Sequence, residues 1–231
     1  MDSLEKFYNQ RPDGSSQQEF LTQVAHTESG QPVSDAQFES MLGQIRELLG
    51  LTPSDQLLDL CCGNGLITNA LAEHVERAKG IDFSHQLLSV AHQHHSMPNL
   101  CFQWGNLLRP NDIPPDQTRY TKVLMYAALQ HFGHDDLGSL LEFILSVSAE
   151  RVTILFGFVP DRERRPVLYD TPVKKIRNWS RRLLGRELIK SWWTREEFLE
   201  ACAPRGLICS FHSLPANLLA SGYRFNVRIE G

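Results

Sequence analysis

No apolar run in this chain of 231 residues approaches the roughly 18 residues that a membrane-crossing helix needs, so a transmembrane helix is excluded. The first residues, MDSLEKFYNQRPDG, contain neither a basic segment nor an apolar one of the kind that directs secretion, and the expectation is a cytoplasmic protein. There is no C-x-x-C pair. The five cysteines, Cys61, Cys62, Cys101, Cys202 and Cys209, are odd in number and mostly sit in or beside apolar runs, which argues for reduced, buried thiols and against a disulfide framework. Neither sign of charge dominates: 23 basic against 27 acidic residues give −4, and global charge does not point to nucleic acid. Internal repeats and low-complexity tracts are lacking, which excludes solenoids and propellers. A metal centre is not expected either. His92, His94 and His95 cluster at a helix end, but no nearby carboxylate or cysteine completes a ligand set, so they read as a solvated terminus.

What is present is a β-α-β rhythm. Residues 1–34 are polar, with short helices expected at 3–9 and 16–25, and read as an N-terminal helical lid. Ser34 caps a helix over 35–49, whose Phe38, Met41, Leu42, Ile45, Leu48 and Leu49 follow helical spacing and which Gly50 stops. A short apolar run at 57–61 reads as a strand covered on both faces, and 78–82, 100–104, 120–126 and 151–158 read as the strands that follow it. Helices expected at 65–74, 85–95 and 135–148 alternate with them. Residues 160–193 break the rhythm with three prolines and many charges, and read as an insertion after strand five. Thr194 then caps a helix over 195–203, with Glu197 in the reciprocal position, and strands at 207–214 and 222–231 close the sheet. The expectation is an α/β fold with a doubly wound, seven-stranded, mostly parallel sheet and an antiparallel final strand, in a single domain over 35–231.

The chemistry-bearing stretch is Asp59-Leu60-Cys61-Cys62-Gly63-Asn64-Gly65, which ends the first strand and opens a helix. Glycines there permit a tight strand-to-helix turn and a close approach of backbone to ligand. Asp82 follows seventeen residues beyond Gly65, at the end of the second strand, where a carboxylate can accept both hydrogen bonds of a ribose diol. A nicotinamide or flavin dinucleotide site would need a third glycine or alanine to seat a pyrophosphate, but Thr68 holds that position.

LLDLCCGNGLITNALA followed by GIDFSHQLLSVA resembles the Rossmann-like, class I S-adenosylmethionine-dependent methyltransferases, and the likeness extends over roughly 35–158 and 194–231. The resemblance implies S-adenosylmethionine as cofactor, with S-adenosylhomocysteine as product. Asp59, Cys61, Gly63, Asn64 and Gly65 would then flank its methionine part, Asp82 would hold the ribose, and Phe83 would cover the adenine. Asn106 and Leu107, from GNLL at 105–108, would lie by the adenine edge, and Met125 and Tyr126 near the transferred methyl. Cys61 stands where the family usually has glycine.

On the acceptor side, His131 after the fourth strand is the candidate base, with a structural loop histidine as the alternative. Tyr8 and Arg11 in the lid, and Arg162 and Trp192 in the insertion, are the expected substrate contacts. Between 160 and 195 eleven basic residues face four acidic ones, interleaved with Trp179, Trp192 and Trp193. This suits a cap over an anionic or aromatic small molecule, or a solvated helix with one apolar face on the sheet. The leading expectation is O- or N-methylation of a small molecule, in glycan or secondary-metabolite synthesis. A tRNA or rRNA methyltransferase and a non-catalytic cofactor-binding module are the alternatives.

Overall fold

The computed structural model describes residues 16–28, 31–110, 113, 116–183 and 189–231. Seven strands, β1 (Gln56–Leu60), β2 (Arg77–Asp82), β3 (Leu100–Trp104), β4 (Tyr120–Tyr126), β5 (Ser148–Pro160), β6 (Ile208–Ser213) and β7 (Arg224–Glu230), form one sheet in the order β3-β2-β1-β4-β5-β7-β6. Pairings from β3 through β5 are parallel, and β7 runs antiparallel to both β5 and β6. The sheet is the one expected. Its strand order reverses between β1 and β4, and in such sheets ligands bind outside the carboxyl ends of the strands at that point.

Two-residue alternation sorts the strand side chains into two cores. Leu58, Leu60, Val123, Met125, Ile154 and Phe156 face one way, against α5 (Asp136–Val147) and α8 (Arg195–Cys202). Leu57, Leu124, Tyr126 and Leu155 face the other way, against α2 (Asp35–Leu49) and α3 (Leu66–Ala72). Each such leucine stabilises the fold by about 1.5–3 kcal/mol on burial. α4 (His85–His94) packs Leu88 and Ala91 on Phe102 and Cys62.

Helix starts follow local chemistry. Ser34 with Gln37 and Thr194 with Glu197 form reciprocal capping boxes, and Ser84 caps α4. Gly50 ends α2 at φ 59°, a conformation natural to glycine. α1 (Gln17–Gln23) is capped by Ser16 and Glu19, and its Phe20 and Leu21 enter the second core. The helix expected over 3–9 lies outside the described residues, as do Tyr8 and Arg11. The three histidines at the end of α4 pack on aromatic rings: His94 and His95 stand 5.2 and 5.3 Å from Phe20, and His92 stands 5.8 Å from Phe102. Among the described residues no helix is long and apolar enough to cross a membrane.

β5 is longer than expected and carries the chain to Pro160, from which α6 (Arg165–Leu168) and α7 (Pro172–Leu183) follow. Trp192 and Trp193 return the chain to the core, both buried. On α7, by contrast, Val173, Ile176 and Trp179 face outward and do not pack on the sheet.

Candidate active site

The turn after β1 is held in an unusual backbone. Cys61, Gly63 and Gly65 have φ of 60°, 59° and 76°. Glycine adopts this region freely, whereas a side chain there costs about 1–2 kcal/mol, so Cys61 is strained. A Cβ on Gly65 would meet Phe102 Cζ at 2.5 Å, so its bareness seats α3 against β3. A Cβ on Gly63 would meet Val24 Cγ1 at 2.8 Å, so the segment after α1 lies directly over the turn. Asn64 ties the two together by donating to the Phe20 carbonyl at 2.9 Å and to Gln23 Oε1 at 2.8 Å.

Two carboxylates lie beneath this turn. Asp82 accepts from the Gly63 N–H at 2.9 Å and from the Ser84 N–H at 2.8 Å. Asp59 accepts from the Thr68 hydroxyl at 2.5 Å. Burial pushes the Asp59 carboxyl up to about 7, with Thr68 opposing and Asp82 adding to the rise. Burial likewise raises Asp82 to about 6 against the pull of its backbone donors. Burial, aided by Asp82 and Asp59, also pushes the Cys61 thiol well up, so it is neutral and not a nucleophile.

Above them a cavity of about 310 Å³ opens at the carboxyl ends of β1, β2 and β4, a size suited to a small-molecule ligand. Asp59, Cys61, Gly63, Asn64, Asp82, Phe83, Asn106, Leu107, Tyr126 and His131 all line it. Gly65 and Met125 do not. Met125 is fully buried in the first core, because its neighbour Tyr126 takes the opposite face of β4. The Tyr126 ring lies over Gly157 and stacks on Phe158 with centroids 5.6 Å apart. Arg162 and Trp192 also lie off the cavity wall. Arg162 pairs with Glu197 at 2.8 Å and donates to the Trp192 carbonyl at 3.1 Å, and the Trp192 ring packs on Tyr169.

Other lining residues were not singled out in the sequence. Trp104 donates to the Phe83 carbonyl at 2.8 Å and stacks on His85, with planes 6° apart. His26 reaches the cavity because α1 docks, and burial with the nearby Arg224 lowers its pKa to about 4. Burial, Lys190 and Arg224 hold His131 at about 4 as well. Both imidazoles are therefore neutral near pH 7.

Arg224, at the start of β7, stands behind this wall. It donates to the Phe158 carbonyl at 2.6 Å and to Gln130 Oε1 at 2.7 Å, and its guanidinium lies 4.4 Å from the Phe158 ring centroid. Among the described residues it has no carboxylate partner, and its Nε has no hydrogen-bond partner. A buried cation without a counter-charge makes that end of the cavity electropositive.

Residues 57–150 match the family model described as a methyltransferase domain. A 2-phytyl-1,4-naphtoquinone methyltransferase of Nostoc is 33% identical over 89 residues, covering 36% of this chain and 38% of the relative. An uncharacterized methyltransferase of Schizosaccharomyces pombe is 42% identical over 49 residues, covering 21% of this chain and 19% of the relative. The chain thus spans less than half the length of these curated relatives. Among solved structures, magnesium protoporphyrin IX methyltransferase of Synechocystis with bound SAH superposes with a TM-score of 0.62 at 15% identity, over 98% of this chain and 97% of that one. That likeness is one of fold. With the matched domain over residues 57–150 and the strand order, the chain resembles the class I, Rossmann-like S-adenosylmethionine-dependent methyltransferases.

Proposed function

We propose that this chain transfers the methyl group of S-adenosylmethionine to a small-molecule acceptor bearing an acidic group. The observation that carries the reading is the cavity itself, which gathers the glycine turn and two buried carboxylates at the switch point of the sheet, with the buried Arg224 behind its far wall.

The residues fit the cofactor. Asp82 already accepts two backbone N–H bonds, and its remaining lone pairs would accept from a ribose diol. Phe83, Asn106 and Leu107 would bound the adenine end, and Asp59, Cys61, Gly63 and Asn64, on the same cavity wall, the methionine end. When bound, S-adenosylmethionine supplies a methyl group on a positively charged sulfur, an already activated leaving group. The protein then has to position, desolvate and, for a hydroxyl acceptor, take a proton. His131 is the proton acceptor of this proposal: it lines the cavity and is neutral above about pH 4. Its low basicity makes it a weak base, and the field of Arg224 compensates by favouring an acceptor that is already partly or fully ionised. The segment 16–28 acts as a lid, with α1 tied to the turn through Asn64.

Calorimetric titration with S-adenosylmethionine and S-adenosylhomocysteine tests the cofactor. Micromolar binding, about −8 kcal/mol, is expected for both. A folded sample that binds neither overturns the reading. Screening labelled methyl transfer to phenols and carboxylic acids against their neutral analogues then tests the acceptor, and equal use of both classes refutes the acidic preference.

A further inference from the structure

Among the described residues, none of α7 (Pro172–Leu183) lines the cavity. Its sequence, PVKKIRNWSRRL, holds five cations, Lys174, Lys175, Arg177, Arg181 and Arg182, and no acid, in a chain of net charge −4. Val173, Ile176 and Trp179 repeat every third residue and are 73%, 66% and 63% exposed. At about 100° per residue these three fall within an arc of about 120°, and the cationic positions fall outside it. Globular helices turn such a stripe to the core, yet this one is turned to solvent, and of the four tryptophans Trp179 is the most exposed.

We infer that α7 is a peripheral membrane-docking helix, which lies in the plane of an anionic lipid surface with Val173, Ile176 and Trp179 inserted and its cations at the headgroups. An apolar stripe flanked by lysine and arginine, with low overall hydrophobicity, is the composition of such helices. The charge selects the occupant. A protein groove would account for the stripe but gives no reason for five cations with one acid, Asp170, which pairs with Lys174 at 2.8 Å, beside them. A nucleic acid would account for the cations and the tryptophan but leaves Val173 and Ile176 exposed for nothing.

Position gives the docking a consequence. α6 and α7 leave the carboxyl end of β5, the end of the sheet where the cavity opens, and Leu108 on the cavity lining is itself 54% exposed. Seated on lipid, the protein presents its cavity to molecules that partition into the membrane. The acceptor is then amphiphilic, with an acidic head and an apolar body, and this clause alone rests on the methyl-transfer reading.

Vesicle flotation with the full chain, without cofactor or acceptor, tests the docking separately from catalysis. The protein should float with vesicles of phosphatidylcholine and phosphatidylglycerol, and about ten-fold less with phosphatidylcholine alone. The paired change Ile176→Ser and Trp179→Ser should reduce flotation about ten-fold with an unchanged melting curve, since both side chains are exposed. The wild-type fluorescence should shift to the blue on vesicle addition, and that shift should vanish in Trp179→Ser. Absence of flotation with anionic vesicles overturns the inference. So does flotation that the paired change leaves intact, which would be charge adsorption alone. Self-association without vesicles that the paired change abolishes would assign the stripe to a second copy instead. RNA binding in place of vesicle binding would assign the cations to nucleic acid.

Discussion

Replacing Asp59 by asparagine should make the protein more stable at neutral pH while weakening cofactor binding. Asp59 is 3% exposed, and burial lifts its carboxyl from the 3.8 of a free side chain to about 7. Because the folded form holds this proton more tightly than the unfolded form, the stabilisation is complete below 3.8 and is lost as the pH rises through about 7. A rise of about three pKa units at about 1.36 kcal/mol each is worth about 4 kcal/mol. Asparagine keeps an acceptor for the Thr68 hydroxyl and carries no charge. The variant should therefore exceed wild type by about 2–4 kcal/mol at pH 8, or about 5–15 °C in Tm for a chain of this size, and match it near pH 4. Asp82, raised to about 6, remains in both proteins, so the variant's profile is shallower but not flat. Urea denaturation across pH 4 to 8 measures this. Parallel pH profiles for the two proteins would refute a buried, destabilising carboxylate at this position. The same variant loses a negative charge beneath the site of a positively charged cofactor, so calorimetry should show affinity falling as stability rises.

Cys61→Gly should lie within about 1 kcal/mol of wild type, because relief of strain offsets the added chain entropy, while the β-branched Cys61→Val should cost about 2 kcal/mol by chemical denaturation. Gly157→Ala places a Cβ into the Tyr126 ring, so it should disturb the cavity wall and lower turnover more than it lowers cofactor affinity, as single-turnover kinetics and calorimetry would show. Arg224→Met removes a cation that lowers the pKa of both His26 and His131, so both imidazoles should titrate at higher pH by NMR, and KM for an acidic acceptor should rise about ten-fold. His131→Ala should slow turnover while sparing cofactor affinity, and full activity would remove this residue from the mechanism.

The strands, the order of helices and the glycine turn were legible in the sequence because each rests on local physics. LLDLC and YTKVLMY are short apolar runs between turn residues, Ser34, Ser84 and Thr194 are capping residues, and Asp82 ends a strand a fixed distance after the turn. The same local rules stopped short at β4, where both Met125 and Tyr126 are buried and only the sheet decides which of them meets the cavity. Arg162 and Trp192 were chosen for chemistry and position in an insertion, but Glu197 and Tyr169 hold them elsewhere.

What the sequence determined by itself is therefore the doubly wound sheet and the cofactor turn, including Cys61, whose positive φ follows from the demands of the turn. The tertiary structure decided the acceptor end of the cavity. His26 arrives from the segment after α1, His131 from the loop after β4 and Arg224 from β7, residues nearly two hundred positions apart that only packing brings together. It also decided that the apolar stripe of α7 faces outward, since periodicity defines a stripe but cannot say what covers it.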